Sequence, residues 1–212
     1  EDYKKILTAF RLGKIDVLIG TQMIAKGLHF PNVTLVGIIY ADLSLHMPDF
    51  RAGERTFQLL TQVAGRAGRG EVEGDVFVQS FTPFHAAIQY ARRHDYLGFY
   101  EQEMEFRKDT EYPPTSRMAM ITLKGKNEEK LKISGNHLKS VIEGIREEIK
   151  DLALAGPSPA PLERAENFFR YQIMLKTKRM SQLSRRLADI HQSTKLPEGV
   201  QTIIDIDPVS MH

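Results

Sequence analysis

The sequence predicts an α/β first part built on a parallel sheet, followed by a small α+β domain. Three observations carry this prediction. Short, nearly continuous apolar runs at Ile15–Ile19 and Val33–Tyr40 alternate with helical patterns, as strands buried on both faces of a parallel sheet do. A stiff Tyr112-Pro113-Pro114-Thr115 joint then interrupts the chain. Beyond it the periodicity runs strand, helix, strand, strand, helix, strand, the split β-α-β order. The expected organisation is a first part at 1–85, a helical linker at 86–115 and a C-terminal domain at 116–212.

Each element has its own signal. Tyr3, Ile6, Leu7 and Phe10 recur at helical spacing, and Gly13 is a suitable stop. Ile15–Ile19 reads as a buried strand closed by Gly20-Thr21-Gln22. Ligands of open α/β sheets bind beyond the carboxyl ends of strands, so Thr21 and Gln22 are well placed for contacts. Met23–Gly27 reads as a short helix, Pro31 as a turn, and Val33–Tyr40 as a second strand. Asp42–Pro48 is expected to be a loop. Ala52–Ala64 is expected to be helical, with Phe57, Leu60 and Val63 or Ala64 on its apolar stripe. Val76–Phe81 is a third strand. Ala86–Lys108 is a long helical pattern in which Gly98 is a potential break. Its aromatics Tyr90, Tyr96, Phe99, Tyr100 and Phe106 suit packing better than base stacking.

In the C-terminal domain, Arg117–Lys124 is a strand. Asn127–Lys150 is an amphipathic helix with Leu131, Leu138, Val141, Ile142, Ile145 and Ile149 inward. Leu152–Gly156 is a short strand, Pro157–Pro161 a rigid loop, Phe168–Lys176 a strand, Met180–His191 a helix and Val200–Asp207 the last strand.

Bulk properties narrow the classes. The chain has 212 residues, 42% hydrophobic and 26% charged, an ordinary balance for a globular protein. No apolar run approaches the ~20 residues of a membrane span. With no cysteine, neither a disulfide nor a Cys-based zinc site is available, which fits a cytoplasmic protein. The net charge of +2 does not by itself argue for a polyanion partner. Residues 116–212 hold the positive excess, so such a partner is better placed there.

The stretch with the most chemistry is Gln62-Val-Ala-Gly-Arg66-Ala-Gly-Arg69-Gly70. Two arginines three residues apart share a face where the run is helical. Small neighbours keep nothing bulky in front of them. Each guanidinium is permanently charged and offers a planar fork of donors suited to phosphate. The stretch reads as a two-arginine anion clamp.

Upstream stands GTQMIAKG, at Gly20–Gly27, and the pair of motifs resembles motifs V and VI of the second motor lobe of superfamily 2 helicases. The words between and after them, PDFRAGERTFQLLTQVAGRAGR and the closing Ile-Asp-Ile-Asp-Pro, resemble the primosomal, replication-restart branch of that superfamily. The resemblance covers nearly the whole chain and implies a RecA-like lobe for its first part. It implies an ATP-dependent DNA helicase, moving 3′ to 5′, that restarts replication by loading the primosome at stalled forks. On it, Arg66 and Arg69 face the triphosphate and one acts as an arginine finger. Gln62, Lys26 and Gly27 belong to the ATP site, and Thr21 and Gln22 to the DNA backbone contact. Many relatives in the superfamily carry an acidic residue where this chain has His29, a departure that favours the replication-restart branch.

The chain contains no GxxxxGK[ST] phosphate loop and no DEXH-type acidic motif. The resemblance puts those, with Mg²⁺, in a first motor lobe, and zinc in a cysteine-rich insertion outside this chain. The chain is therefore expected to be a C-terminal fragment, inactive by itself. Implied partners are single-stranded and forked DNA, other primosome proteins and single-stranded DNA-binding protein, in a bacterial cytoplasm, with no membrane. A basic face of the C-terminal domain, formed by Lys176, Lys178 and Arg179 with Arg164, Arg170, Arg185 and Arg186, is a candidate DNA contact.

Other readings compete. The chain could be a non-catalytic nucleic-acid- or protein-binding module, or part of another superfamily 2 translocase. His29, His46, Asp49 and Glu54 match no common metal-ligand spacing, so no metal site is assigned. Asp205 and Asp207, two apart in a strand, share a face as paired carboxylates do, though edge-strand charge explains them as well.

Overall fold

The computed structural model describes residues 2–21, 33–65 and 74–211. The chain divides into two units, one of Glu1–Met47 with Arg51–Glu103 and one of Pro48–Phe50 with Met104–His212.

The first unit begins with α1 (Asp2–Arg11), then β1 (Leu35–Ile38), a 3-10 turn (Ala41–Ser44), α2 (Ala52–Ala64), β2 (Asp75–Val78), α3 (Ala86–Arg92) and the start of α4 (Tyr96–Asp109). β1 and β2 pair in parallel, Leu35 opposite Asp75 through Ile38 opposite Val78. Their connection passes through α2, as parallel strands require a crossover. The core is small: Phe57 and Leu60 of α2 meet Ala87, Ile88 and Ala91 of α3, with Ala41 and Phe99. The Phe57 and Phe99 rings stack at 4.4 Å between centroids, a favourable aromatic distance.

Two expectations for this unit are corrected. Ile15–Ile19 forms no strand. Among the described residues nothing pairs with it, and Val17 and Ile19 are 71% and 88% exposed. An apolar run becomes a buried strand only where neighbouring backbone takes up its hydrogen bonds. The long helix over 86–108 is two helices, and the interruption is Arg93-His94-Asp95 rather than Gly98. His94 takes a left-handed φ of 54°, and the Asp95 carboxylate accepts the Gly98 N–H at 2.8 Å, starting α4 afresh.

The second unit contains β3 (Arg117–Gly125), α5 (Glu128–Glu143), β4 (Ala153–Ala165), β5 (Phe168–Thr177), α6 (Met180–Ser193) and β6 (Val200–Ile206). The sheet order is β4-β5-β3-β6, and every pairing is antiparallel. This is the split β-α-β topology expected from the sequence. Asn127 caps α5 by accepting the Lys130 N–H at 3.0 Å. One face of the sheet packs on both helices: Ala119, Ile121 and Leu123 of β3 and Tyr171, Ile173 and Leu175 of β5 meet Leu131, Leu138 and Ile142 of α5 and Leu183, Leu187 and Ile190 of α6.

α5 ends at Glu143, short of the expected Lys150, yet Ile145 and Ile149 still reach the core through the turns that follow. The Pro157–Pro161 run is not a loop. It lies inside β4, which continues to Ala165 with register shifts after Ala155 and Pro159. β4 is an edge strand, the position in a sheet where missing N–H donors are tolerated. Gly156, at the first shift, has φ 98°.

Candidate functional site

The carboxyl ends of β1 and β2 lie side by side, and one residue ties them together. Asp42, in the 3-10 turn after β1, is fully buried. Its carboxylate accepts from the Ser80 hydroxyl at 2.7 Å, the Phe81 N–H at 2.8 Å and the Thr82 N–H at 3.0 Å, and also from the Thr82 hydroxyl. The backbone continues the tie: the Gln79 N–H donates to Ile38 at 2.9 Å and the Ala41 N–H to Gln79 at 3.0 Å. Burial pushes the Asp42 carboxyl up, but the bonds from Thr82, Ser80 and Phe81 outweigh it and hold the group well below the usual carboxylate range.

The sign of its pH dependence follows. A depressed folded pKa contributes stability that is present above the unfolded value of about 4 and is lost as pH falls through the folded one. Asp42→Asn is expected to lower the thermal midpoint of the first unit by about 5 °C or more at neutral pH. The gap should narrow in acid. Melting both proteins at neutral and acid pH checks this, and an equal gap at both would assign the loss to packing rather than charge.

α2 carries the next candidate. Gln62 is exposed on its last turn. The helix is held to its end by the Gly65 N–H donating to Thr61 at 3.1 Å, immediately before Arg66 in the chain. Thr21 is exposed and follows the unpaired Ile15–Gly20 segment. Gln22, Lys26, Gly27, Arg66 and Arg69 lie outside the described residues, as does His29.

The seven basic residues of the second unit do not share one face. Arg170 and Lys176 sit on the side of β5 opposite Tyr171, Ile173 and Leu175, which face the helices. Arg185 and Arg186 are on α6, in the helical layer, and Arg186 Nε pairs with Glu148 at 3.1 Å. Strand alternation forces this separation. Lys176 is half-buried, donates to the Thr110 carbonyl and lies 4.5 Å over the Tyr112 ring, so its ammonium is committed inside the unit. Lys178 is exposed, while Arg179 sits 3.8 Å from Asp151. Asp205 and Asp207 are not a pair on one strand face either. β6 ends at Ile206, and Asp207 turns away with φ 53° to accept a forked contact from Arg117. Among the described residues no group of three or more His, Cys, Asp or Glu is placed to hold a metal ion.

Comparison with known families agrees with this division. Residues 1–71 match the helicase conserved C-terminal domain, and residues 108–209 match the primosomal protein N C-terminal domain. The class is thus a helicase-type lobe segment joined to a primosomal C-terminal domain. The chain is 43% identical over 212 residues to replication restart protein PriA of Bacillus subtilis (strain 168), covering 99% of this chain and 26% of that protein. It is 38% identical over 205 residues to the PriA of Chlamydia muridarum, covering 97% of this chain and 27% of that protein. The PriA of a Synechocystis strain is 37% identical over 209 residues, 99% of this chain and 25% of that protein. The chain is thus similar over nearly all of its own length to replication restart proteins PriA, and it spans about a quarter of the length of these relatives.

Proposed function

We propose that the chain is the C-terminal portion of an ATP-dependent DNA helicase that restarts replication at stalled forks by loading the primosome. The observation that carries this reading is the likeness to PriA proteins running unbroken through both units. On this reading residues 1–85 complete one wall of an ATP site, 86–115 link it onward, and 116–212 form a DNA- and partner-handling domain. The bound nucleotide and Mg²⁺ supply the phosphoryl chemistry. Arg66 and Arg69 offset charge on the triphosphate, Gln62 orients it, Lys26 and Gly27 follow its γ-end, and Thr21 and Gln22 hold the DNA backbone. Lys178 and Arg179 contribute phosphate contacts, with Lys176 buttressing the strand end beside them. Partners are single-stranded and forked DNA, other primosome proteins and single-stranded DNA-binding protein. Strand polarity is 3′ to 5′, zinc belongs to the whole protein outside this chain, and the setting is the bacterial cytoplasm.

The phosphate loop and acidic motif are missing from this sequence, so the chain alone is expected to hydrolyse no ATP, with or without single-stranded DNA. A longer protein that includes both motifs should show DNA-stimulated turnover. A coupled ATPase assay on the two, side by side, is the test. DNA-stimulated turnover by the 212-residue chain alone would overturn the division of labour proposed here.

A further inference from the structure

The sheet of the second unit has one face packed on α5 and α6 and another without helices. The second face is divided. Toward one end, Lys176 is engaged with Thr110 and Tyr112, Met118 and Met120 are buried, and the Gln172 amide reaches the Met211 carbonyl at 3.4 Å. The other end is built differently. Lys124 of β3 stands directly opposite Arg170 of β5 in the antiparallel register. By alternation both point away from the helices, as does Phe168, and Lys126 follows just beyond the end of β3. The Lys124 ammonium lies 4.5 Å from the centroid of the Phe168 ring, and the Lys126 ammonium 5.6 Å from it.

Like charges directly opposite on neighbouring strands repel. Here nothing local relieves that repulsion: among the described residues none of Lys124, Lys126 and Arg170 makes an ion pair. Two ammonium groups therefore approach one aromatic ring, and Arg170 stands cross-strand from the nearer of them. Some cations of the same domain are matched: Arg117 has Asp207, Lys132 has Glu128, and Arg186 has Glu148. Cross-strand Gln201 extends the row on β6, and Ile203 beside it is exposed.

We propose that this end of the sheet, built by Lys124, Lys126, Phe168 and Arg170, is a contact site for single-stranded nucleic acid. It rests on the DNA-handling reading above and specifies where in the C-terminal domain the strand lies. The cations supply phosphate contacts along a backbone crossing the strands. Phe168 is half-buried, and a lysine over a ring at the surface is held weakly, so it can turn to a phosphate and leave the accessible Phe168 face to a base. Bases stack on aromatic rings without regard to sequence, and an open four-stranded sheet is a suitable platform for that. A duplex keeps its bases inside and cannot use the ring. The observations favour this ligand over an acidic peptide, which would use the charges but not the aromatic face.

The test uses the 212-residue chain and a fluorescein-labelled oligothymidylate, with anisotropy followed across a salt series. Lys124→Gln with Arg170→Gln removes the cross-strand repulsion, so the fold is not penalised. This double variant should bind about tenfold or more weakly, and its salt slope should fall by about 0.7 for each phosphate the protein ceases to neutralise. Photo-crosslinking with an iodouracil-substituted strand should label Phe168, and Phe168→Leu should abolish the label. Weakening by Lys178→Ala/Arg179→Ala, with the Lys124→Gln/Arg170→Gln protein at wild-type affinity, would overturn this site and leave the DNA-motor reading standing. Binding of a polyglutamate peptide as tight as the oligonucleotide, with no crosslink at Phe168, would reassign the surface to an acidic protein segment. A chain that binds no oligonucleotide overturns the site too, while the motor reading is judged separately on ATP turnover by the longer protein.

Discussion

Arg69→Ala in the full-length protein is expected to lower ATP turnover by about 10³-fold or more, the usual cost of a missing arginine finger. Fork binding should be largely retained, because the loss concerns charge that develops during phosphoryl transfer rather than the DNA contact. Arg69→Lys should rescue little. An ammonium keeps the charge but not the planar fork that grips two oxygens. Steady-state ATPase rates with saturating single-stranded DNA, alongside fork affinity, separate the two effects. The same drop is expected for Arg66→Ala if both arginines act in the proposed clamp. Normal turnover in both variants would make the Gln62–Gly70 stretch a structural loop.

The largest stability effect is expected at Gly156→Ala. The residue holds φ at 98° at the register shift in β4. A Cβ there would stand 2.5 Å from the Gln172 carbonyl oxygen and 3.3 Å from the Ile173 Cα. Both are backbone atoms of β5, so no side chain can swing aside. Backbone strain and overpacking together should cost about 3 kcal/mol. Gly13→Ala is the control. Its φ is 69°, but nothing lies within 4 Å of the added carbon, so only the left-handed strain remains, about 1–2 kcal/mol. Denaturant unfolding of the two variants should show that difference. Equal destabilisation would mean that β4 shifts away from β5 at little cost.

Most of the C-terminal domain is legible in the sequence because all of its elements but β4 write their own period. Leu131, Leu138 and Ile142 repeat at helical spacing, Tyr171, Ile173 and Leu175 at strand spacing, and both sets arrive in one core. Ala52–Ala64 is readable for the same reason, with Gly65 to stop it. Asp42 is not. Its partners Ser80, Phe81 and Thr82 are about forty positions away, and only the parallel pairing of β1 with β2 brings them together. An aspartate just after a strand, with a Ser-x-Thr just after the strand's parallel neighbour, is the signal that marks such a tie. β4 escapes a local reading because proline argues against a strand, whereas the edge of the sheet makes it acceptable. Ile15–Ile19 fails in the opposite way: its composition asks for a sheet, but pairing is a property of neighbours. The basic residues resemble one face in the sequence because proximity along the chain says nothing about which side of a strand a side chain takes.

The prolines of β4 also decide how the domain meets other chains. Sheets grow when an exposed edge offers a row of donors and acceptors to a new strand. Pro157, Pro159 and Pro161 remove three donors within five residues of one edge, so a strand approaching there finds a ladder with missing rungs. The opposite edge, β6, contains no proline from Val200 to Ile206. Strand addition to this sheet is thereby polarised: the β6 edge offers an unbroken row of backbone donors, whereas self-association through β4 is discouraged.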